Sequence, residues 1–197
     1  MKKRIILVLL IACVGLNHSL AQFMPRGANP GELYVPYIWY YDLSTSKRYD
    51  AIFFTQDFGR HFTPLHTFEW NSNEVPVGNL HADASPGIIY NYTVDGLYRS
   101  FDNAQTWEML DEDIGPYVSI STGNIQNEVF KVGNDNSLYK SINNGEDWEL
   151  KHENMTSRVE VGTQPGELYT REVVDFSPLK IEIGHSSNDG IDFTFLM

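Results

Sequence analysis

One eight-residue pattern recurs four times along this chain, at a spacing of 41 to 45 residues, each time directly after a short apolar or alternating segment. The copies, here called boxes, run from Thr55 to Phe62, Ser100 to Trp107, Ser141 to Trp148 and Ser186 to Phe193. A hydroxyl opens each box. Asp or Asn follows two positions later (Asp57, Asp102, Asn143, Asn188), then Gly or Ala (Gly59, Ala104, Gly145, Gly190), and Trp or Phe closes it. Self-similarity at this period marks stacked or radially arranged supersecondary units and takes precedence over local propensity.

The intervening sequence reads as strands. The segments Ala51–Phe54, Gly96–Arg99, Ser137–Lys140 and Lys180–Ile183 precede the boxes, and short strands follow them at Thr106–Leu110 and Asp147–Leu150. Farther upstream, Pro-Gly turns at Pro30-Gly31, Pro86-Gly87 and Pro165-Gly166 lead into another strand, and Asn127–Phe130 keeps the strand without the Pro-Gly. One more strand is expected between repeats, at Val75–Gly78, Tyr117–Ile120 and Arg158–Val161. The first repeat has no clear counterpart. No helical period appears after the N-terminal segment. The expectation is an all-β chain, a β-propeller or partial propeller of about four antiparallel four-stranded blades, at about 30–68, 75–112, 117–153 and 158–197, with a box at each third-to-fourth-strand hairpin.

The box has a physical rationale of its own. An Asp or Asn in a hairpin loop accepts nearby backbone N–H groups, a Gly two residues on takes a positive φ without steric cost, and the terminal ring buries apolar area. Thr55, Asp57, Gly59, Phe62, Ser100, Asp102, Trp107, Ser141, Asn143, Gly145, Trp148, Ser186, Asn188, Gly190 and Phe193 are therefore read as structural. Two of the four acids are amides, which a catalytic carboxylate does not tolerate.

Residues 1–21 read as a cleaved export signal, with Lys2, Lys3 and Arg4, an apolar run from Ile5 to Leu16, and Ser19-Leu20-Ala21 ahead of Gln22. Residues 22–197 form the propeller. A lipoprotein cut before Cys13 is the alternative, and the short basic signal looks bacterial. Cys13 is the only cysteine, so the exported part holds together by its core, without disulfides. The chain carries a net charge of −12, and loss of the signal removes three cations and no acid. That balance argues against a nucleic-acid partner. No further apolar stretch reaches transmembrane length. The histidines lack metal-ligand spacing, and no phosphate-cradling or nucleophile-elbow motif appears, so no metal and no cofactor is expected.

Ser100 to Trp107 resembles the Asp-box, or BNR repeat, Ser-x-Asp-x-Gly-x-Thr-Trp, departing at Ala104. Four copies in register resemble the propellers of sialidases, sortilins and xyloglucanases. The resemblance implies a fold shared by unrelated chemistries. Sialidases of this kind use three arginines, a tyrosine with a partner glutamate, an aspartic acid and an Arg-Ile-Pro motif. This chain has no Arg-Ile-Pro and its arginines are scattered, so no catalytic residue carries over. Asp-box propellers have six or more blades, whereas about four are supplied here. The expected resolutions, in order, are an incomplete propeller or truncated frame, two chains pairing to complete a ring, and tight closure of four blades.

Insertions point to a binding face. From the core residue of the second strand to the box hydroxyl is 11 positions (Ile89 to Ser100) or 12 (Val129 to Ser141) in the middle repeats. It is 22 (Leu33 to Thr55) and 18 (Leu168 to Ser186) in the outer ones. The extra residues fall in second-to-third-strand hairpins, on the face opposite the boxes, where repeat proteins commonly bind. Tyr37, Trp39, Tyr40, Tyr41 and Arg48 in the first insertion suit a glycan or a protein ligand, although some rings would serve the core instead. The expectation is a non-catalytic binding or scaffold module. The alternative is the N-terminal part of a glycoside hydrolase, whose paired acids would come from Asp42, Glu69, Asp111 or Asp175.

Overall fold

The computed structural model describes residues 24–42, 47–69, 78–93, 95–112, 119–155, 157–176 and 179–196. Within its strands, the side chains of 37–42, 47–50, 66–69, 173, 176, 179 and 196 are outside the description, as is the whole expected signal segment. Four antiparallel up-and-down sheets follow one another along the chain, and the described residues contain no helix. The first sheet has three strands, β1 (Leu33–Asp42), β2 (Lys47–Thr55) and β3 (Thr63–Glu69). The second has β4 (Asn79–Ala82), β5 (Ile89–Tyr92), β6 (Leu97–Ser100) and β7 (Glu108–Asp111). The third has β8 (Ser119–Thr122), β9 (Val129–Val132), β10 (Leu138–Ser141) and β11 (Glu149–His152). The fourth has β12 (Val159–Val161), β13 (Leu168–Phe176), β14 (Leu179–Ser186) and β15 (Thr194–Leu196).

The leading strands line up, β4 against β8 and β8 against β12, and β4 also meets β1, so the sheets are arranged as successive propeller blades. The first sheet's leading strand is reduced to one bridge between Arg26 and Leu33. Among the described residues the second sheet's leading strand is Asn79–Ala82 and the third's begins at Ser119; the expected starts at Val75 and Tyr117, residues 75–77 and 117–118, lie outside the described residues. Register sets which residues of these strands face inward. Ala82 must pair with Ile89, and Thr122 with Val129, for Leu80 and Ile120 to reach the core. A Cβ on Gly78 would fall 1.9 Å from the Tyr92 carbonyl oxygen, so the chain enters β4 through a position that only glycine fits.

Each box is one hydrogen-bonded unit. The opening hydroxyl accepts two backbone N–H groups and donates to the third residue. In the third sheet, Ser141 Oγ accepts from Asn143 N at 3.3 Å and Gly145 N at 2.8 Å and donates to Asn143 Oδ1 at 2.8 Å. Thr55, Ser100 and Ser186 repeat these three bonds. The fifth residue is left-handed throughout, including Ala104 at φ 66°. The fourth residue donates its N–H to the turn between the first two strands: Phe58 to Gly31, Asn103 to Gly87, Asn144 to Asn127 and Asp189 to Gly166, at 2.9 to 3.1 Å. Asn127, at φ 65°, does the work of glycine in the one turn that lacks Pro-Gly.

Residues three and seven of the box are matched. Asp57 faces His61 at 2.5 Å and Asp102 accepts the Thr106 hydroxyl at 2.7 Å, while Asn143 and Asn188 donate to Asp147 and Asp192 at 2.9 and 3.3 Å. An acid at position three meets a donor, and an amide meets an acid.

The core sits between sheets. One cluster (Tyr34, Ile52, Phe54, Leu80, Ile89, Ala104) joins the first two, and a second (Tyr90, Leu97, Ile120, Val129) joins the next two. Phe130, Leu138, Val159 and Leu168 join the last pair. Fully burying one such side chain stabilises by about 1.5–3 kcal/mol. Trp107, Trp148 and Phe193 pack against these clusters, but Phe62, which closes the first box, is exposed.

Exchanging the matched pair tests the box. Asn143→Asp, which sets two carboxylates against each other, is expected to cost about 1 kcal/mol at neutral pH. Adding Asp147→Thr, the pairing used by the second box, restores the loss. Urea midpoints of the three proteins check this.

Candidate functional site

The leading strands line a concave groove of about 1270 Å³, closed on one flank by residues 24–33. Register places its residues in rows. Ala82, Thr122 and Val161 pair with equivalent residues of the second strands, so Asn79, Ser119 and Arg158 form one level and His81, Ser121 and Glu160 the next. Five of these six, all but Ser121, line the groove, and Asn79, His81, Arg158 and Glu160 give it an amide, an imidazole and two charges; Ser121 Oγ donates to the Val159 carbonyl, tying the third sheet to the fourth. Burial, with Arg158 as a second cause, pushes the His81 imidazole down to about 4, so it is neutral at physiological pH. Two buried oxygens of groove residues, Asp83 Oδ2 and Ser119 Oγ, meet no hydrogen-bond partner among the described residues.

A substitution between repeats explains Asp83. At the equivalent places of the other sheets stand Gly27, Gly123 and Gly162, and a Cβ on each would come within 3 Å of Glu32, Glu128 or Glu167 respectively. In the first and fourth sheets the glutamate accepts the turn's N–H groups, Asn29 N at 2.9 Å and Thr163 N at 2.8 Å. In the second sheet Ile88 replaces the glutamate, and Asp83 supplies the carboxylate instead, accepting from Ser85 N at 2.6 Å and from Asn127 N of the next sheet at 3.1 Å. Asp83 thereby clamps two sheets at the box end of the groove.

The other end of the groove, beside Tyr92 and Arg158, carries the second-to-third-strand hairpins. In the middle sheets these strands are four residues long. In the outer sheets the insertions are regular ladders, β1 with β2 and β13 with β14, each interrupted by a register shift, between Tyr37 and Tyr40 and between Val173 and Asp175. Every residue anticipated for ligand binding lies on the first ladder: Tyr37 pairs with Ala51, Tyr40 with Tyr49 and Tyr41 with Arg48, and Trp39 falls within the shift. Their side chains lie outside the described residues.

Of the acids considered for hydrolysis, Asp111 is engaged by Lys131 Nζ at 2.7 Å across the junction of the second and third sheets. Asp175 sits near the tip of the second ladder, opposite Lys180, and the side chains of Asp42 and Glu69 lie outside the described residues. Among the described residues, no group of three or more His, Cys, Asp or Glu is placed to hold a metal ion, and no helix is long and apolar enough to cross a membrane. In the boxes, bonds from the His61 backbone and ring, then from Thr55, hold the Asp57 carboxyl well below the usual carboxylate range. Partial burial alone would raise Asp102, but bonds from Thr106, Ser100 and Gln105 outweigh it and hold it low. These carboxylates are tied up in the hairpins. Local patterning did not reveal the groove, because much of its lining converges from strands about 40 residues apart, and aligning the repeats is the signal that would have found it.

No family model matches the chain, and no curated protein matches it. Among solved structures it is similar to the GH74 enzyme of Niastella koreensis, with a TM-score of 0.55 and 14% identity over 87% of this chain and 23% of that one. The GH74 xyloglucanase from Xanthomonas campestris superposes with a TM-score of 0.46 and 16% identity, over 86% of this chain and 37% of that one. YCF48 bound to a D1 peptide gives 0.44 and 15%, over 76% and 50%. The first of these bears on the fold, which is that of a β-propeller, and this chain spans about a quarter of that enzyme's length.

His81 sets a pH window. The folded state resists its protonation while the unfolded chain, with an ordinary value near 6.5, accepts a proton. Stability is therefore full above pH ~6.5 and declines as pH falls toward 4. His81→Asn is expected to flatten that slope in urea midpoints measured between pH 7 and 4. The slope below 4, where Asp57 and Asp102 titrate, stays.

Proposed function

We propose that this protein is an exported, non-catalytic binding module built on Asp-box propeller blades, and that it takes a glycan or protein ligand at the hairpin end of the groove. The observation that carries this reading is the placement of the extra residues. Both insertions lengthen the same pair of strands, in the first and fourth sheets alone, and both project at one end. A long two-stranded ladder is a firm mount for rings that must not reorganise on binding, and Tyr and Trp supply large contact area with a polar tip. Tyr37, Trp39, Tyr40 and Tyr41 are concentrated on one such ladder, with Arg48 opposite Tyr41 as a cation on a molecule of net negative charge. Residues 1–21 would direct export, with a lipid anchor at Cys13 as the variant of that reading.

The glycoside hydrolase reading ranks second. It requires two acids facing each other at roughly 5–10 Å. Asp111, one of the four candidates, is committed to Lys131.

Trp39→Ala combined with Tyr41→Ala is expected to abolish ligand capture on a glycan array or in a pull-down while leaving the circular dichroism spectrum and melting temperature close to wild type. Undiminished capture would place the site elsewhere. Release of reducing ends from a captured glycan, lost in Asp175→Asn, would instead establish the hydrolase reading.

A further inference from the structure

The four repeats allow the same position to be compared when covered and when not. The second residue of each sheet's second strand is Tyr34, Tyr90, Phe130 or Tyr169, and its cross-strand partner is Phe54, Arg99, Lys140 or His185. Tyr34 is 2% exposed and Tyr90 and Phe130 are 0% exposed, but Tyr169 is 38% exposed. Three residues ahead of the box hydroxyl, Ile52, Leu97 and Leu138 are all 0% exposed, whereas Ile183 is 42% exposed. What covers the first three sheets is the same each time: the box of the next sheet. Asn103 accepts the Tyr34 hydroxyl at 2.9 Å, the Asn144 carbonyl accepts Arg99 at 2.6 Å, and Asp189 accepts Lys140 at 2.7 Å.

The first box shows the complementary deficit. Ala104, Gly145 and Gly190 are buried beneath the preceding sheet, and Gly59 is partly exposed. Phe58, the fourth residue, is 75% exposed. Among the described residues, the first box and the Tyr169–Ile183 face are thus both left uncovered.

The two ends also match chemically, in a way that differs from the internal junctions. Two of the three internal receiving faces offer a cation, Arg99 or Lys140, to the fourth residue, and the first, Tyr34 with Phe54, is aromatic and offers the Tyr34 hydroxyl to Asn103. On the last face His185 stacks on Tyr169 at 5.0 Å between ring centroids, and Glu167 accepts the Tyr169 hydroxyl at 2.8 Å. The first box answers with an aromatic fourth residue, Phe58, and with Arg60 at the sixth position, where Glu146 approaches Arg99 in the second junction. Rings would meet rings, and the cation and acid have changed sides together.

We propose that a second copy of this chain docks the box Thr55–Phe62 onto the Tyr169–Ile183–His185 face and receives the same contact in return, so that two copies close one ring through two equal junctions. A head-to-tail contact that closes after two copies gives a two-fold dimer and leaves neither face open. Closure also brings the long hairpins of the first and fourth sheets of different copies side by side, but the docking argument stands apart from any ligand.

Light scattering after size-exclusion chromatography of the secreted protein tests it. The expected mass is twice that of one chain, falling to one chain in Phe58→Glu and in Ile183→Glu, both at positions exposed in the single copy. A monomeric wild type, a dimer indifferent to both substitutions, or higher multiples would overturn the two-copy ring. A second measurement does not rely on loss of association. In the last internal junction a Cβ on Gly190 would lie 2.3 Å from Leu138 Cδ2, so the equivalent pair, Gly59→Cys with Ile183→Cys, should give a covalent dimer on a non-reducing gel. Persistence of free thiols in the doubly substituted protein under oxidant would count against the contact.

Discussion

One buried hydroxyl per sheet organises this molecule. Thr55, Ser100, Ser141 and Ser186 each collect two backbone N–H groups of their own hairpin and pass a proton to the third residue. That ring of bonds turns the fourth and fifth residues outward from the sheet, onto the face of the sheet before. The adjacent N–H of the fourth residue then locks the hairpin to the turn between the first two strands. Without the hydroxyl, buried N–H groups such as that of Gly145 would be left without an acceptor, at a cost of about 1–3 kcal/mol each.

The same logic of satisfied donors and acceptors accounts for the variation among repeats. Where the third box residue loses its charge, the seventh gains one, as in Asn143 with Asp147. Where a turn loses its glutamate to Ile88, the glycine opposite becomes Asp83. Each exchange keeps a carboxylate in place while moving the backbone position that bears it, so the sheets are equivalent in hydrogen bonding though not in sequence. Stability follows from the junctions, since the described apolar core lies between sheets and each sheet is too thin to bury its own side chains.

The repeat was legible because its determinants are local: a hydroxyl, an Asx and a left-handed fifth residue within eight positions. The register of β4 was not, because the pairing of Ala82 with Ile89 is a fact about a partner strand. The insertions were legible as lengths, and their form as ladders follows from the alternation in β1 and β13. The groove was hidden, since Asn79, Ser119 and Arg158 acquire a common address only through register. The exposure of Phe62 and Tyr169 was equally hidden. Their types suit a junction, and what distinguishes them is that no described sheet packs on them.

The claim on which all of this rests is that the fifth-residue amides are sealed by a hydroxyl below and a neighbouring sheet above. Native-state hydrogen exchange reads that directly. The N–H groups of Ala104, Gly145 and Gly190 are expected to exchange only with global unfolding, at rates that track the urea-dependent stability of the whole protein. Exchange of these three as fast as exposed amides in the same hairpins would contradict the account, because the boxes would then be surface turns and not the joints of the fold.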